Sequence, residues 1–238
     1  MVKRIAACTA VLASCLFTAC TGESTENPVD GPSASCPEPE GGTCLGALEA
    51  GTYTTRSLEP QLTYTVPEGW DNMDDTRGVF MLLPPGRDRD GTDVGTDDYL
   101  GVYHAAAVLA GDCSPATEPA VGLKPRAIAR TLRDREGLDT SAPRRIEVGG
   151  LTGVVVDIEA QLTGKEGCSV PGGGRVIPLI AGLGQAHFGR VQTTDMRTRL
   201  YVLAYQDENV VVEVSDVEAD SAPFDYGSVV DSLRFKQE

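Results

Sequence analysis

The densest run of chemistry-bearing side chains is DRDGTDVGTDD, residues 88–98, in which Asp88, Asp90, Asp93, Asp97 and Asp98 follow one another around two glycines. Carboxylates spaced along a glycine-containing loop are the hard oxygen ligands that Ca²⁺ takes. The spacing departs from the EF-hand pattern, because glycine falls at the fourth place after Asp88 counted as the first and no glutamate closes the loop. The run reads first as an acidic surface connection, with calcium as its chemical alternative. Only two histidines occur, His104 and His187, with no H-E-x-x-H and no metal-ligand spacing. His104 lies in an apolar, strand-like segment and reads as a packed residue, whereas His187, beside Phe188 in a glycine-rich region, is the more suggestive of the two. No G-x-S-x-G or G-x-x-x-x-G-K-[ST] motif is present, and Gly172-Gly173-Gly174 has neither the helix nor the lysine that a phosphate cradle needs. Trp70, the single tryptophan, is expected to anchor a core or, with His187, to line a ligand groove. No catalytic motif and no cofactor follow from these residues.

The cysteines carry the other legible chemistry. Met1-Val2-Lys3-Arg4 is a short basic segment, followed by 15 uncharged, mostly apolar residues to Ala19, which is the pattern of a secretory signal peptide. Leu12-Ala13-Ser14-Cys15 resembles a lipobox more closely than Phe17-Thr18-Ala19-Cys20 does. Leader length and the polar stretch after Cys20 argue for Cys20, with Cys15 as the alternative. Removal of residues 1–19 and acylation of Cys20 leave Cys36, Cys44, Cys113 and Cys168, an even set suited to two disulfides in an oxidising compartment. The short Pro- and Gly-containing spacing makes Cys36 with Cys44 the economical pair, which leaves Cys113 with Cys168. The expected product is held on the extracytoplasmic face of the cell membrane by an N-terminal lipid.

Residues 20–46 form a Gly/Ser/Pro/Glu-rich tether without apolar periodicity, and residues 47–238 are expected to form one domain. The chain has 35 acidic against 20 basic residues, a net charge of −15 and 41% hydrophobic residues. That is enough apolar material for a core, and the charge disfavours nucleic-acid phosphates.

Within the domain, strict alternation in Gln61 to Val66 places Leu62, Tyr64 and Val66 on one strand face. Val79 to Leu83 reads as an inner strand, and Tyr99 to Leu109 as another. Pro125 to Arg135 has helical spacing, with proline suited to its start and Gly137 to its stop. Strands resume at Arg145 to Val148 and at Leu151 to Leu162, joined by a Gly149-Gly150 turn. Arg199 to Tyr205 and Val210 to Val214 form a hairpin through Asp207-Glu208-Asn209, and a last helix spans Phe224 to Leu233. Strands segregated from two helices indicate an α+β domain with helices packed on an antiparallel sheet.

The succession YTVPEGW, GVFMLL, RIEVGGLTGVVVDIE, RLYVLAYQDENVVVEV and DSLRF resembles actinobacterial secreted domains of the PsbP-like α/β/α sandwich type. The resemblance implies a curved antiparallel sheet with helices on it and a binding or accessory role, without a catalytic set. The expected function is a noncatalytic, lipid-anchored domain for an envelope protein partner or a small apolar ligand. A secreted enzyme with a dispersed active site and a structural envelope component are the alternatives.

Overall fold

A computed structural model describes residues 45–87, 98–164, 166–170, 174–182, 189–217 and 226–237. The leader, Cys15, Cys20, most of the tether, Cys36, Cys44, His187, and Asp88, Asp90, Asp93 and Asp97 lie outside the described residues.

The chain begins with β1 (Gly46–Ala47), β2 (Gly51–Thr54), β3 (Leu62–Val66), β4 (Asp71–Asp75), β5 (Val79–Leu83), β6 (Tyr99–His104) and β7 (Ala106–Val108). Helix α1 (Pro125–Arg133) is followed by β8 (Leu138–Thr140), β9 (Arg144–Val148), β10 (Leu151–Ala160), β11 (Cys168–Ser169) and β12 (Arg175–Gly182). The last elements are β13 (Gly189–Gln192), β14 (Met196–Tyr205), β15 (Glu208–Val217), α2 (Tyr226–Ser232) and β16 (Arg234–Phe235). The fold is mostly antiparallel sheet with two short helices. Among the described residues a main sheet runs β1-β4-β5-β6-β15-β14-β10-β8, with β9 also paired to β10, and two smaller sheets run β11-β12-β13 with β7 on β12, and β16-β3-β2.

Alternation along the main strands sends successive side chains to opposite faces. Leu203, Val210, Val212, Leu100 and Val102 join one core cluster with Leu62, Tyr64 and Val66 of β3 and with Val229 and Val230 of α2. Val202, Val211, Val154 and Val156 face the other way, against Ile128, Ala129 and Leu132 of α1 and Leu179 and Ile180 of β12. Each outer layer is therefore shared between one short helix and one small sheet, so helices alone do not cover the main sheet.

Local signals explain several element ends. Pro125 opens α1, where its missing N–H costs nothing, and Gly137 takes a φ of 82° just beyond the helix. Gly149 and Gly150 take φ of 60° and 85° in the tight turn between β9 and β10, a conformation costly for residues bearing a Cβ. Two expectations are corrected. Tyr99 to Leu109 is not one strand: Ala105 takes a φ of 50°, so β6 stays in the main sheet and β7 crosses to pair with β12. The hairpin turn is Gln206-Asp207, with Gln206 at a φ of 50° and Tyr205 opposite Glu208, so Glu208 and Asn209 belong to β15.

Asn209 holds the break at Ala105. It is fully buried, its Nδ2 donates to the Ala106 and Leu123 carbonyls at 2.8 Å each, and its Oδ1 accepts from the Ala106 N–H at 2.9 Å. Cys113 and Cys168 form a disulfide that closes a 55-residue separation and ties the loop after β7 to β11. In the chain-entropy model such a closure is worth about 4 kcal/mol.

Candidate functional site

The β14–β15 hairpin turn, the start of α1 and strand β9 meet at one end of the main sheet and enclose a groove of about 920 Å³. Its apolar lining includes Pro125, Val154 and Ala204. Lys124, Arg126 and Arg145 bring positive charge to it, and Glu147, Asp207 and Glu208 bring negative charge. This size is that of small-molecule sites, and six charged side chains surround the apolar lining.

The hairpin separates that groove from a smaller one of about 420 Å³, lined by His104, Tyr205, Gln206 and Glu208 together with Arg56, Gln61 and Lys236. There His104 Nε2 lies 2.8 Å from Glu208 Oε2, and the Tyr205 ring stands edge-on to the imidazole with centroids 5.9 Å apart. Register explains the pair: His104 ends β6 opposite Val210, two residues beyond Glu208 on β15. The contact lacks hydrogen-bond geometry, but an imidazole beside a carboxylate is a pairing that proton transfer uses.

A third cluster is buried. Arg190 of β13 and Glu213 of β15 are 2% and 0% exposed, with Arg190 Nε 3.5 Å from Glu213 Oε2. The guanidinium carbon lies 4.7 Å from the Tyr103 ring centre and 5.3 Å from that of Tyr99. Gly101 pairs with Glu213, and its missing side chain leaves room for the Tyr103 ring, whose Cζ would lie 2.6 Å from a Cβ there. Burial raises the Glu213 carboxyl above the usual glutamate range, against the lowering influence of Arg190 and of the Tyr103 and Tyr99 hydroxyls. Burial also raises both phenols well above the ordinary tyrosine value. Enclosed on all sides, the cluster is a buried polar tie between β13 and the main sheet, without an opening to substrate among the described residues.

Of the residues expected from sequence to carry chemistry, the described Trp70 and Asp98 lie away from these places. Trp70 is 3% exposed and sits edge-on to Tyr226, with centroids 5.7 Å apart, inside the core. Asp98 is buried and accepts from Arg87 Nε at 2.9 Å. Among the described residues no group of three or more His, Cys, Asp or Glu side chains is placed to hold a metal, and no helix is long and apolar enough to cross a membrane. Sequence reasoning passed over Lys124, Arg126, Arg145, Glu147, Arg190 and Glu213. Of these only Glu213 gave a local signal, a lone acid inside Val210 to Val214 on the strand face that elsewhere buries.

No family model matches the chain, and no curated protein matches it. Among solved structures it is similar to a protein from Bacteroides thetaiotaomicron VPI-5482, at 11% identity over 74% of this chain and 46% of that one, with a TM-score of 0.33. It is also similar to cyanobacterial PsbP (CyanoP) from Synechocystis sp. PCC 6803, at 12% identity over 82% of this chain and 98% of that one, with a TM-score of 0.37. The chain spans less than half the length of the Bacteroides protein.

Proposed function

We propose that this chain is an extracytoplasmic lipoprotein of the PsbP-like α/β/α sandwich type found in actinobacteria, anchored through Cys20, whose domain binds a small ligand without transforming it. The groove of about 920 Å³ at the hairpin end carries this reading, since its size and its apolar lining edged by charged groups suit a bound molecule. The anchor rests on the leader, the polar stretch after Cys20 and the even cysteine count that its acylation leaves.

Two measurements test the reading. Mass spectrometry of protein purified from native membranes is expected to find an acylated Cys20 at the N-terminus, and an unmodified N-terminus elsewhere removes the anchor. Small molecules extracted from that protein are expected to include one that is missing from an Ala204→Trp variant, in which an indole fills the groove. Identical extracts from the two proteins defeat the binding reading.

The contact between His104 and Glu208 favours a second reading, acid–base chemistry in the smaller groove. It requires a turnover activity that His104→Gln abolishes while leaving the thermal midpoint in place. An activity that survives this change removes His104 from any mechanism.

A further inference from the structure

The main sheet ends differently at its two sides. Strand β1 on one side is two residues long and β8 on the other is three, whereas β9, beside β8 on β10, presents five. Gly149 and Gly150, both at positive φ, make a two-residue turn, the type whose flanking residues exchange backbone bonds. Val148 and Leu151 are therefore bonded across the hairpin, and so are Ile146 with Gly153 and Arg144 with Val155, because bonded pairs alternate along antiparallel strands. The N–H and C=O groups of Arg145 and Glu147 consequently point away from β10. Among the described residues no strand pairs with them on that side.

An unpaired edge accepts another strand, and proteins usually block one with lysines or proline. Here the two residues that offer their backbone groups carry opposite charges on one face, both exposed. Ile146 between them packs on the other face, half-buried against the core that holds Val148 and Leu151. Laid antiparallel on a second copy of itself, with Ile146 opposite Ile146, β9 sets Arg145 of each copy opposite Glu147 of the other. Backbone parity selects the same register: Arg145 and Glu147 of opposite copies become the bonded pairs, and the isoleucines the closer, unbonded pair at the axis. Centring the pairing on Arg145 or on Glu147 would instead oppose like charges, which destabilises a sheet. The run is bounded at both ends. Pro143, which would face Gly149 of the second copy, has no N–H, and the Gly149 carbonyl already accepts from the Phe235 N–H.

We propose that the chain forms a two-fold dimer through β9, joining two main sheets into one. The contact is isologous, the same strand on both copies, and its axis stands normal to the sheet. The two large grooves, each lined by Arg145 and Glu147, then adjoin on one face. The dimer does not rest on the small-ligand reading. So short an interface makes it reversible and dependent on concentration.

The test is sedimentation equilibrium of the full chain in density-matched detergent. Wild type is expected to pass from one copy to two as its concentration rises. Arg145→Glu alone and Glu147→Arg alone, which bring like charges together at both pairs, are each expected to raise the dissociation constant about tenfold. An equimolar mixture of these two variants is expected to dimerise as wild type does, because the acids of one chain then face the arginines of the other. A chain carrying both changes keeps opposite charges paired and is expected to do the same. A wild type that stays a single copy up to about 1 mM overturns the proposal. So does dimerisation that neither single change weakens, and so does a weakening that neither mixing nor the double change restores.

Discussion

Arg190 lies over the Tyr103 ring, 4.7 Å from its centre, with its Nε 3.5 Å from a Glu213 carboxylate oxygen. A cation buried between an aromatic face and a carboxylate is held by both, and removing it strands the acid. Arg190→Met is expected to lower stability by about 3–5 kcal/mol at pH 8, the usual result of breaking a buried pair. The pH dependence follows from Glu213, whose folded-state pKa is raised. Its stabilising contribution is complete below the unfolded glutamate value and is lost as pH rises through the raised one. Without the lowering influence of Arg190 that window moves higher still. Denaturant midpoints of the variant at pH 5 and pH 8 are expected to show a smaller deficit at pH 5, and an equal deficit at both would mean that Glu213 does not titrate with folding.

Gly101 leaves the space that Tyr103 occupies. A Cβ added there would lie 2.6 Å from the Tyr103 Cζ, and a rigid ring cannot yield as a flexible chain would. Gly101→Ala is expected to cost about 1–3 kcal/mol through overpacking. Adding Tyr103→Ala in the same chain removes the clash, so the double variant should be more stable than the two single losses summed. Thermal midpoints of the four proteins in this cycle decide it, and simple additivity would place the ring elsewhere.

Asn209 satisfies three backbone groups around Ala106 and Leu123. Asn209→Ala leaves them buried without that partner and is expected to destabilise the protein by about 3 kcal/mol. Hydrogen exchange should accelerate first at the Ala106 amide. Protection there equal to wild type would show that the strand break holds itself.

Reduction of Cys113–Cys168 is expected to cost about 4 kcal/mol, the chain-entropy value for a loop of this length. Denaturant midpoints with and without reductant measure it, with a Cys113→Ser, Cys168→Ser variant as the reductant-insensitive control. A control as stable as the oxidised wild type would leave the bridge without a stabilising role.

Most strands were legible because burial alternates where the sequence does: in β3, Leu62, Tyr64 and Val66 are all buried and Thr65 is exposed. Strand β4, Asp71-Asn72-Met73-Asp74-Asp75, carries no such alternation and is held by its backbone pairing to β5, which residue types do not report. The hairpin turn was misplaced because Asp, Glu and Asn are usual turn formers, whereas the left-handed residue is Gln206. That error put Glu208 and Asn209 in a loop and hid both the partner of His104 and the clasp at Ala105. The groove had no local signature at all. Lys124, Arg145 and Asp207 are brought together only by strand pairing and helix placement, so no spacing along the chain marks them.

The break at Ala105 makes one continuous segment serve two sheets, β6 in the main one and β7 in the smaller one. Neither sheet can open without pulling on the other, and the disulfide beyond β7 adds a covalent link to β11. Such mechanical coupling leaves little room for a half-unfolded species in which the smaller sheet detaches and exposes apolar strand edges. The domain should therefore resist proteolysis and aggregation up to its cooperative melting point.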